Sequence, residues 1–195
     1  MAITTLNLRA LNRSDTASAG QLVTATSATA MDFQAAAAGG KILQVQNFST
    51  VALTSQSAST SFVDISSFLV TITPAATSSK ILIIASLGVV GANGQSTAFA
   101  VERAISGGAT TVLGGTASSA RLSASFRHRS DSDDNHDQGM SWNYLDSPST
   151  TSEITYQLQW APQGTAYINR TVSDSDAAQY GARTISGMMA IEVGA

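Results

Sequence analysis

The sequence predicts an all-β chain: an antiparallel β-sandwich or jelly roll carrying an extended N-terminal arm. Three observations predict it. Residues Glu153 to Trp160 alternate without a break, Ile154, Tyr156, Leu158 and Trp160 on one side and Glu153, Thr155, Gln157 and Gln159 on the other. That is the period of a strand with one dry face and one wet face. Short strands of this kind, about ten of them, recur at spacings of roughly 8 to 12 residues, the rhythm of a sandwich. After residue 40 no stretch carries the 3.6-residue periodicity of a helix.

Taken in order, residues 1–40 stand apart. Leu6 to Asp15 is short and weakly amphipathic, Thr16 to Thr29 is rich in Ala, Ser and Thr, and Met31-Asp32-Phe33-Gln34 precedes four alanines and Gly39-Gly40. Such a stretch cannot bury enough apolar surface to fold alone, which leaves a disordered leader or an extended arm that orders against other subunits; the arm is the expectation, with Gly39-Gly40 as its hinge. The head domain, residues 41–195, opens with a strand bearing Ile42, Val45 and Phe48. A polar run from Ser49 to Thr60 reads as an edge or loop. Ser61 to Ile65 reads as one short strand, and Phe68, Val70 and Ile72 alternate in another. Ile81 to Val90 is a continuous apolar run, the pattern of a central strand covered on both faces. Thr97 to Ile105 is a strand, and Gly107-Gly108 and Gly114-Gly115 bracket a hairpin around Val112 and Leu113. Arg121 to Phe126 alternates, with Leu122, Ala124 and Phe126 expected inward. Trp142 to Arg170 reads as a three-strand antiparallel meander, broken at Leu145-Asp146-Ser147-Pro148 and at Ala161-Pro162-Gln163-Gly164, where proline ends a ladder and Asp and Ser favour turns. It holds both tryptophans. Thr184 to Val193 puts Ile185, Gly187, Met189, Ile191 and Val193 on one face and Met188, Ala190 and Glu192 on the other, a last strand docked inside a sheet.

Composition narrows the function. Charged residues make up only 12% of the chain, about half the usual share. Lys41 and Lys80 are the only lysines, and Ser and Thr dominate the polar surface. The net charge of −3 gives no positive field for nucleic acid or an anionic membrane. With no cysteine there is no disulfide, thiolate metal site or cysteine nucleophile. Met1 to Ala10 lacks the basic and apolar regions of a signal peptide, and no apolar run reaches the length of a membrane-spanning helix. A weakly charged β-domain without disulfides gains stability from association with other subunits.

Several segments carry a resemblance. Lys41-Ile42-Leu43-Gln44-Val45, Ser61-Phe62-Val63-Asp64, Thr71-Ile72-Thr73-Pro74 with Thr77-Ser78-Ser79-Lys80-Ile81-Leu82, Tyr144-Leu145-Asp146-Ser147-Pro148 with Thr155-Tyr156, and Tyr167-Ile168-Asn169-Arg170 together resemble, in the same order, the distal β-domain of bacteriophage tail-fibre and related virion proteins of the marine and cyanobacterial phage type. The arm, with Ala19-Gly20-Gln21-Leu22-Val23-Thr24 and Asp32-Phe33-Gln34, is similar to the linker that precedes such domains. The resemblance implies a homotrimer on the virion surface, docked to tail or capsid proteins through residues 1–40, with a host surface glycan as a target. It carries over no receptor site, because its matching residues are strand and turn residues. Fibres of this type have a longer adaptor and shaft than the 40 residues here, which keeps a capsid decoration protein or head fibre as an alternative and a carbohydrate-binding module as a further one.

Candidate chemistry is sparse, and neither a catalytic site nor a cofactor is expected. The dense charge cluster is His128 to Asp137, in which Asp131, Asp133, Asp134 and Asp137 form an exposed acidic loop. Asp131, Asp133, Asn135 and Asp137 are spaced like the start of a calcium loop. Its sixth and twelfth places are His136 and Trp142, where such a loop needs glycine and a carboxylate, so a solvated loop is the simpler reading. Asp174-Ser175-Asp176 is a second acidic turn. His128 and His136 could share a zinc ion only if some element aligned them. No nucleophile-elbow sequence supports a Ser-His-Asp set. A glycosidase pair among Glu102, Glu153 and Glu192 needs a cleft. Trp142, Tyr144, Tyr156 and Trp160 could form a sugar-stacking face, but at strand spacing they read more simply as core. Asn12, Asn47 and Asn169 fit the glycosylation triplet, which is frequent by chance in a Ser/Thr-rich chain.

Overall fold

The computed structural model describes residues 21–25, 31–35, 40–130, 137–179 and 181–194. The chain divides into two units, Met1–Lys41 and Ile42–Ala195. In the first, β1 (Gln21–Ala25) pairs antiparallel with β2 (Met31–Ala35), Val23 opposite Phe33. Patterning alone assigns no pairing to this stretch, since each run is only five residues long.

The second unit is a sandwich of two antiparallel sheets. Sheet I contains β3 (Ile42–Thr50), β4 (Thr54–Gln56), β6 (Lys80–Gly91), β10 (Gln138–Asp146), β12 (Ala166–Ile168) and β13 (Ser186–Val193). Sheet II contains β5 (Val63–Ile72), β7 (Ser96–Ile105), β8 (Thr110–Val112), β9 (Phe126–Arg129) and β11 (Ile154–Pro162).

The register resolves these pieces into four rows per sheet. At Ile81–Ser86, β6 is paired by β10 and by β13; at Val90 it is paired by β10 and by β12. A strand has only two edges, so β12 and β13 share the edge of β6 opposite β10. By the same reasoning β3 and β4 form one outer row, and β8 and β9 form one row along β7 opposite β11. Sheet I therefore runs β3/β4, β12/β13, β6, β10, and sheet II runs β5, β11, β7, β8/β9. The chain crosses between the sheets at every step except β7 to β8/β9. Two four-row sheets wound in this way form a jelly roll.

The crossing corrects the meander expected over Trp142 to Arg170. Its three strands exist, but β10 and β12 lie in sheet I and β11 lies in sheet II. The link from Asp146 to Ile154 is too long for a tight hairpin and passes over the end of the sandwich instead. Asp146 pins that end. Buried, its carboxylate accepts from the Tyr156 hydroxyl at 2.8 Å, from Arg103 Nη1 at 2.7 Å and from its neighbour Ser147 N at 2.9 Å. One carboxylate thus ties β10 of one sheet to β7 and β11 of the other. Burial, and then the adjacent Asp146 charge, hold the Tyr156 hydroxyl well above its ordinary range.

Two further expectations change. The two strands read over Ser61–Ile72 are one, β5, kinked where the register slips between Gln157 and Gln159 and where Ser67 takes a left-handed φ of 61°. The expected strand from Arg121 is shorter and begins at Phe126. Leu122, expected inward, is 39% exposed in the loop before it.

The core lies between the sheets. Ile81, Ile83, Ala85, Leu87, Met188 and Ala190 come from sheet I, and Ile65, Phe68, Phe99, Val101, Tyr156, Leu158 and Trp160 from sheet II. The seam between β3/β4 and β12/β13 is closed by Asn169, wholly buried at a left-handed φ of 67°. Its side-chain nitrogen donates to the carbonyls of Thr50 and Ala52, each at 3.0 Å, and its oxygen accepts from the Ser186 hydroxyl at 2.6 Å. Asparagine suits the position because it tolerates this φ and can both donate and accept.

Candidate functional site

The expected acidic loop is only partly within reach: Asp131, Asp133 and Asp134 lie outside the described residues, as do His136 and Asn12. Asp137 accepts from the backbone nitrogen of Val172 at 3.0 Å and packs close to Gly91, where an added Cβ would approach its carboxylate to 2.8 Å. It therefore fastens the start of β10 to the loop after β12. Among the described residues no group of three or more His, Asp or Glu is placed to hold a metal. His128 is buried with neither ring nitrogen hydrogen-bonded, and burial pulls its pKa below the usual value. In the second acidic turn, Asp174 sits between Arg170 at 2.8 Å and Arg183 at 2.7 Å, and Arg170 lies 3.9 Å over the Tyr167 ring.

The glutamates do not meet in a cleft. Glu192 is enclosed inside the sandwich, Glu102 belongs to the outward set of β7, and Glu153 is exposed just before β11. Burial would raise the pKa of Glu192. Donors at 2.6 Å from Gln44 Nε2 and 2.7 Å from the Ala75 nitrogen outweigh it and hold the carboxyl below its usual range. The four aromatics also part company. Tyr156 and Trp160 are core. Trp142 stacks on Tyr144 at 5.8 Å and on Phe126 at 6.0 Å, and Phe126 stacks on Phe99 at 5.0 Å, a ladder running from the core to the edge. Asn169 cannot accept a glycan, because it is buried and fully engaged, whereas Asn47 is exposed on β3.

What the molecule offers instead is two different outer faces. On sheet I the register aligns Val45, Ile191, Leu82 and Leu145 in one row across all four strands. All four point away from the core, since their neighbours Glu192, Ile81, Ile83 and Asp146 are buried inside. Val45 is 49% exposed and Leu145 is 50% exposed. The row directly behind, facing inward, is Gln44, Glu192, Ile81 and Asp146. At this end of the sheet two carboxylates face in and four aliphatic side chains face out. The next outward row, Asn47, Met189, Ile84 and Asn143, is also uncharged. This corrects the expectation that β6 is covered on both faces: within one chain the core covers only the face carrying Ile81 and Ile83.

The outer face of sheet II is hollowed. Ala161, Ala98 and Arg127 form one row across β11, β7 and β9, so two of its three side chains are single methyl groups. The segment at Ser59 forms one wall, anchored by its nitrogen to the carbonyl of Pro162 at 2.9 Å. The segment Arg121 to Ser125 forms the other, anchored by Ser125 N to Phe99 O at 2.8 Å and by the Ser125 hydroxyl, which accepts from Val101 N at 2.8 Å. Between them lies a groove of about 890 Å³. Sequence reasoning missed it because Ala98 and Ala161 become neighbours only through the register. The visible signal was the Arg127–Arg129 pair on one strand face, with no acid between.

No protein-family model matches the sequence, and no curated protein matches it. Among solved structures the chain is similar to that of the infectious bursal disease virus Gx strain, at 13% identity over 89% of this chain and 44% of that one, with a TM-score of 0.33. It is also similar to the VP2 subviral particle of infectious bursal disease virus, at 11% identity over 89% and 45% of the two chains and a TM-score of 0.32. A third is the T=1 particle derived from the same virus, at 11% identity over 89% and 42% and a TM-score of 0.35. The chain spans less than half the length of these solved chains.

Proposed function

We propose that this chain is a non-enzymatic structural protein of a virion: a tail fibre or similar surface appendage, anchored through residues 1–40, assembled as a homotrimer, and presenting its jelly-roll head on the virion surface for host attachment. The observation that carries the reading is the outward row Val45, Ile191, Leu82 and Leu145, backed by the inward Gln44, Glu192 and Asp146. Ordinary surfaces scatter single apolar residues; a contiguous aliphatic row marks a contact. Its occupant is a second copy of the chain, because the rows Val45, Ile191, Leu82, Leu145 and Asn47, Met189, Ile84, Asn143 carry no charge with which to select a charged partner, Lys80 standing only at their end, and soluble proteins associate chiefly with themselves through closed symmetry. The sequence resemblance to phage fibre domains supports the virion setting. The jelly roll is compatible with it but serves capsid and lectin domains alike.

Light scattering on the purified chain tests the reading. One chain is 20.0 kDa, so three copies weigh about 60 kDa. The expected mass at low micromolar concentration is that of the trimer, falling to the single-chain value when Val45→Asp and Leu145→Asp are combined. A wild-type monomer would overturn the homotrimer. It would shift the reading from a virion protein to a carbohydrate-binding module.

A further inference from the structure

We infer that the groove on the outer face of sheet II is a binding site for an acidic glycan, held by the guanidinium groups of Arg121 and Arg127. The inference deepens the attachment role proposed above and rests on it for its biological meaning; the binding itself does not.

Charge placement is the first argument. Among the described residues Arg103 is paired with Asp146, and Arg170 and Arg183 are paired with Asp174. The other described arginines, Arg121, Arg127 and Arg129, have no carboxylate partner among the described residues, and all three are exposed. They are also together: Arg127 and Arg129 alternate on one face of β9, and Arg121 lines the groove that Arg127 borders. In a chain of net charge −3, Arg121 and Arg127 set two cations at one groove whose lining contains no carboxylate among the described residues. Guanidinium is the side chain suited to forked hydrogen bonding of a carboxylate or sulfate.

Shape and lining are the second. The groove volume of about 890 Å³ lies within the usual span for ligand sites. Its floor is the methyl groups of Ala98 and Ala161, low and apolar, matching the C–H face of a sugar ring. Its sides offer the hydroxyls of Thr60 and Ser96 and the Gln163 side-chain nitrogen, which can donate, while the Gln163 oxygen is held by Ser96 N and the Ser59 hydroxyl by Ser61. Both walls are tied to the sheet by backbone hydrogen bonds, so the cavity is formed before anything enters it. No aromatic side chain lines it, so it has no platform for stacked bases, which single-stranded nucleic acid needs.

The test is calorimetric titration of the full chain with four probes: an oligogalacturonate, which carries carboxylate; a sulfated dextran oligomer; neutral dextran; and polyaspartate as the acidic-peptide arm. The expected result is binding of the carboxylated or the sulfated sugar, none of neutral dextran, and at least tenfold weakening by Arg121→Gln or by Arg127→Gln. Ala98→Phe fills the floor while keeping every charge, and it is expected to abolish binding. Should that variant fail to fold, Gln163→Glu replaces it, setting a negative charge in the groove for the same expected loss. Unaltered binding by the filled or recharged groove would reduce the effect to surface electrostatics and overturn the site. So would failure of both acidic sugars, or binding of polyaspartate alone. Loss of sugar binding with the 60 kDa mass intact would sink the glycan site and leave the virion reading standing; a monomer that binds the sugar would do the reverse.

Discussion

The two sheets share one core yet show opposite outer faces. Sheet I turns out an aliphatic row, Val45, Ile191, Leu82 and Leu145. Sheet II turns out alanines, glutamines and arginines around a groove. The difference comes from what faces inward. In sheet II the inward positions of β11 are all apolar, Ile154, Tyr156, Leu158 and Trp160, so its outward positions are free to be polar, the ordinary pattern of a half-buried strand. In sheet I the inward row at one end holds Glu192 and Asp146, and the neighbouring outward row is apolar. Because the side-chain period is two, a carboxylate fixed inward fixes its neighbour outward. Asp146 therefore sets Leu145, and Glu192 sets Ile191. Buried acids thus set an apolar outer row from behind.

The sharpest way to break the contrast is to remove a pin. Asp146→Ala strands the Arg103 charge and the Tyr156 hydroxyl, and loss of one partner from a buried pair costs about 3–5 kcal/mol. Denaturant unfolding is expected to show a loss of that size, and Tyr156→Phe, which removes a single hydrogen bond to the same carboxylate, a loss of roughly 1–2 kcal/mol.

Glu192 sharpens it through pH. Its folded pKa lies below the ordinary carboxyl value of 4.5, so the folded state holds the carboxylate charged more firmly than the unfolded chain does. That contribution is fully present above the unfolded pKa and is lost as pH falls through the folded value. Stability measured from pH 6 downward is expected to fall below about pH 4.5 in the wild type. In Glu192→Gln, where the donors Gln44 and Ala75 face an amide, stability is expected to start roughly 1–3 kcal/mol lower and to lose this part of its acid dependence.

Much of the fold was legible in the sequence, because period-two alternation at Glu153–Trp160 and Thr184–Val193 marks strands directly. Which sheet each strand joins was not. A meander and a jelly-roll crossing place the same turn residues at Ser147-Pro148, and only the buried Asp146 bridge, invisible in one dimension, separates them. The run Ile81–Val90 reads as a strand covered on both faces, and the structure corrects that: Ile81, Ile83 and Ala85 are buried, whereas Leu82 and Ile84 are only half-buried. The chain itself covers one face, and the outer face carries the row Val45, Ile191, Leu82 and Leu145. The candidate site was the least legible part. The acidic loop drew attention by its charge density, yet its described member, Asp137, is a fastening. The groove is built from residues as plain as Ala98 and Ala161, which mean nothing until the register places them together.

Thiol labelling tests the central claim most directly, and the absence of cysteine makes it clean. Leu145 on the outer face of sheet I is 50% exposed in a single chain, and Leu122 beside the groove of sheet II is 39% exposed. Single Leu145→Cys and Leu122→Cys variants would then react at similar rates if both faces stay open. If another copy covers sheet I, Leu145→Cys is expected to label at least tenfold more slowly at micromolar concentration and to catch up on dilution into the monomer. Equal rates at every concentration would contradict the claim that the outer face of sheet I is where copies of this chain meet.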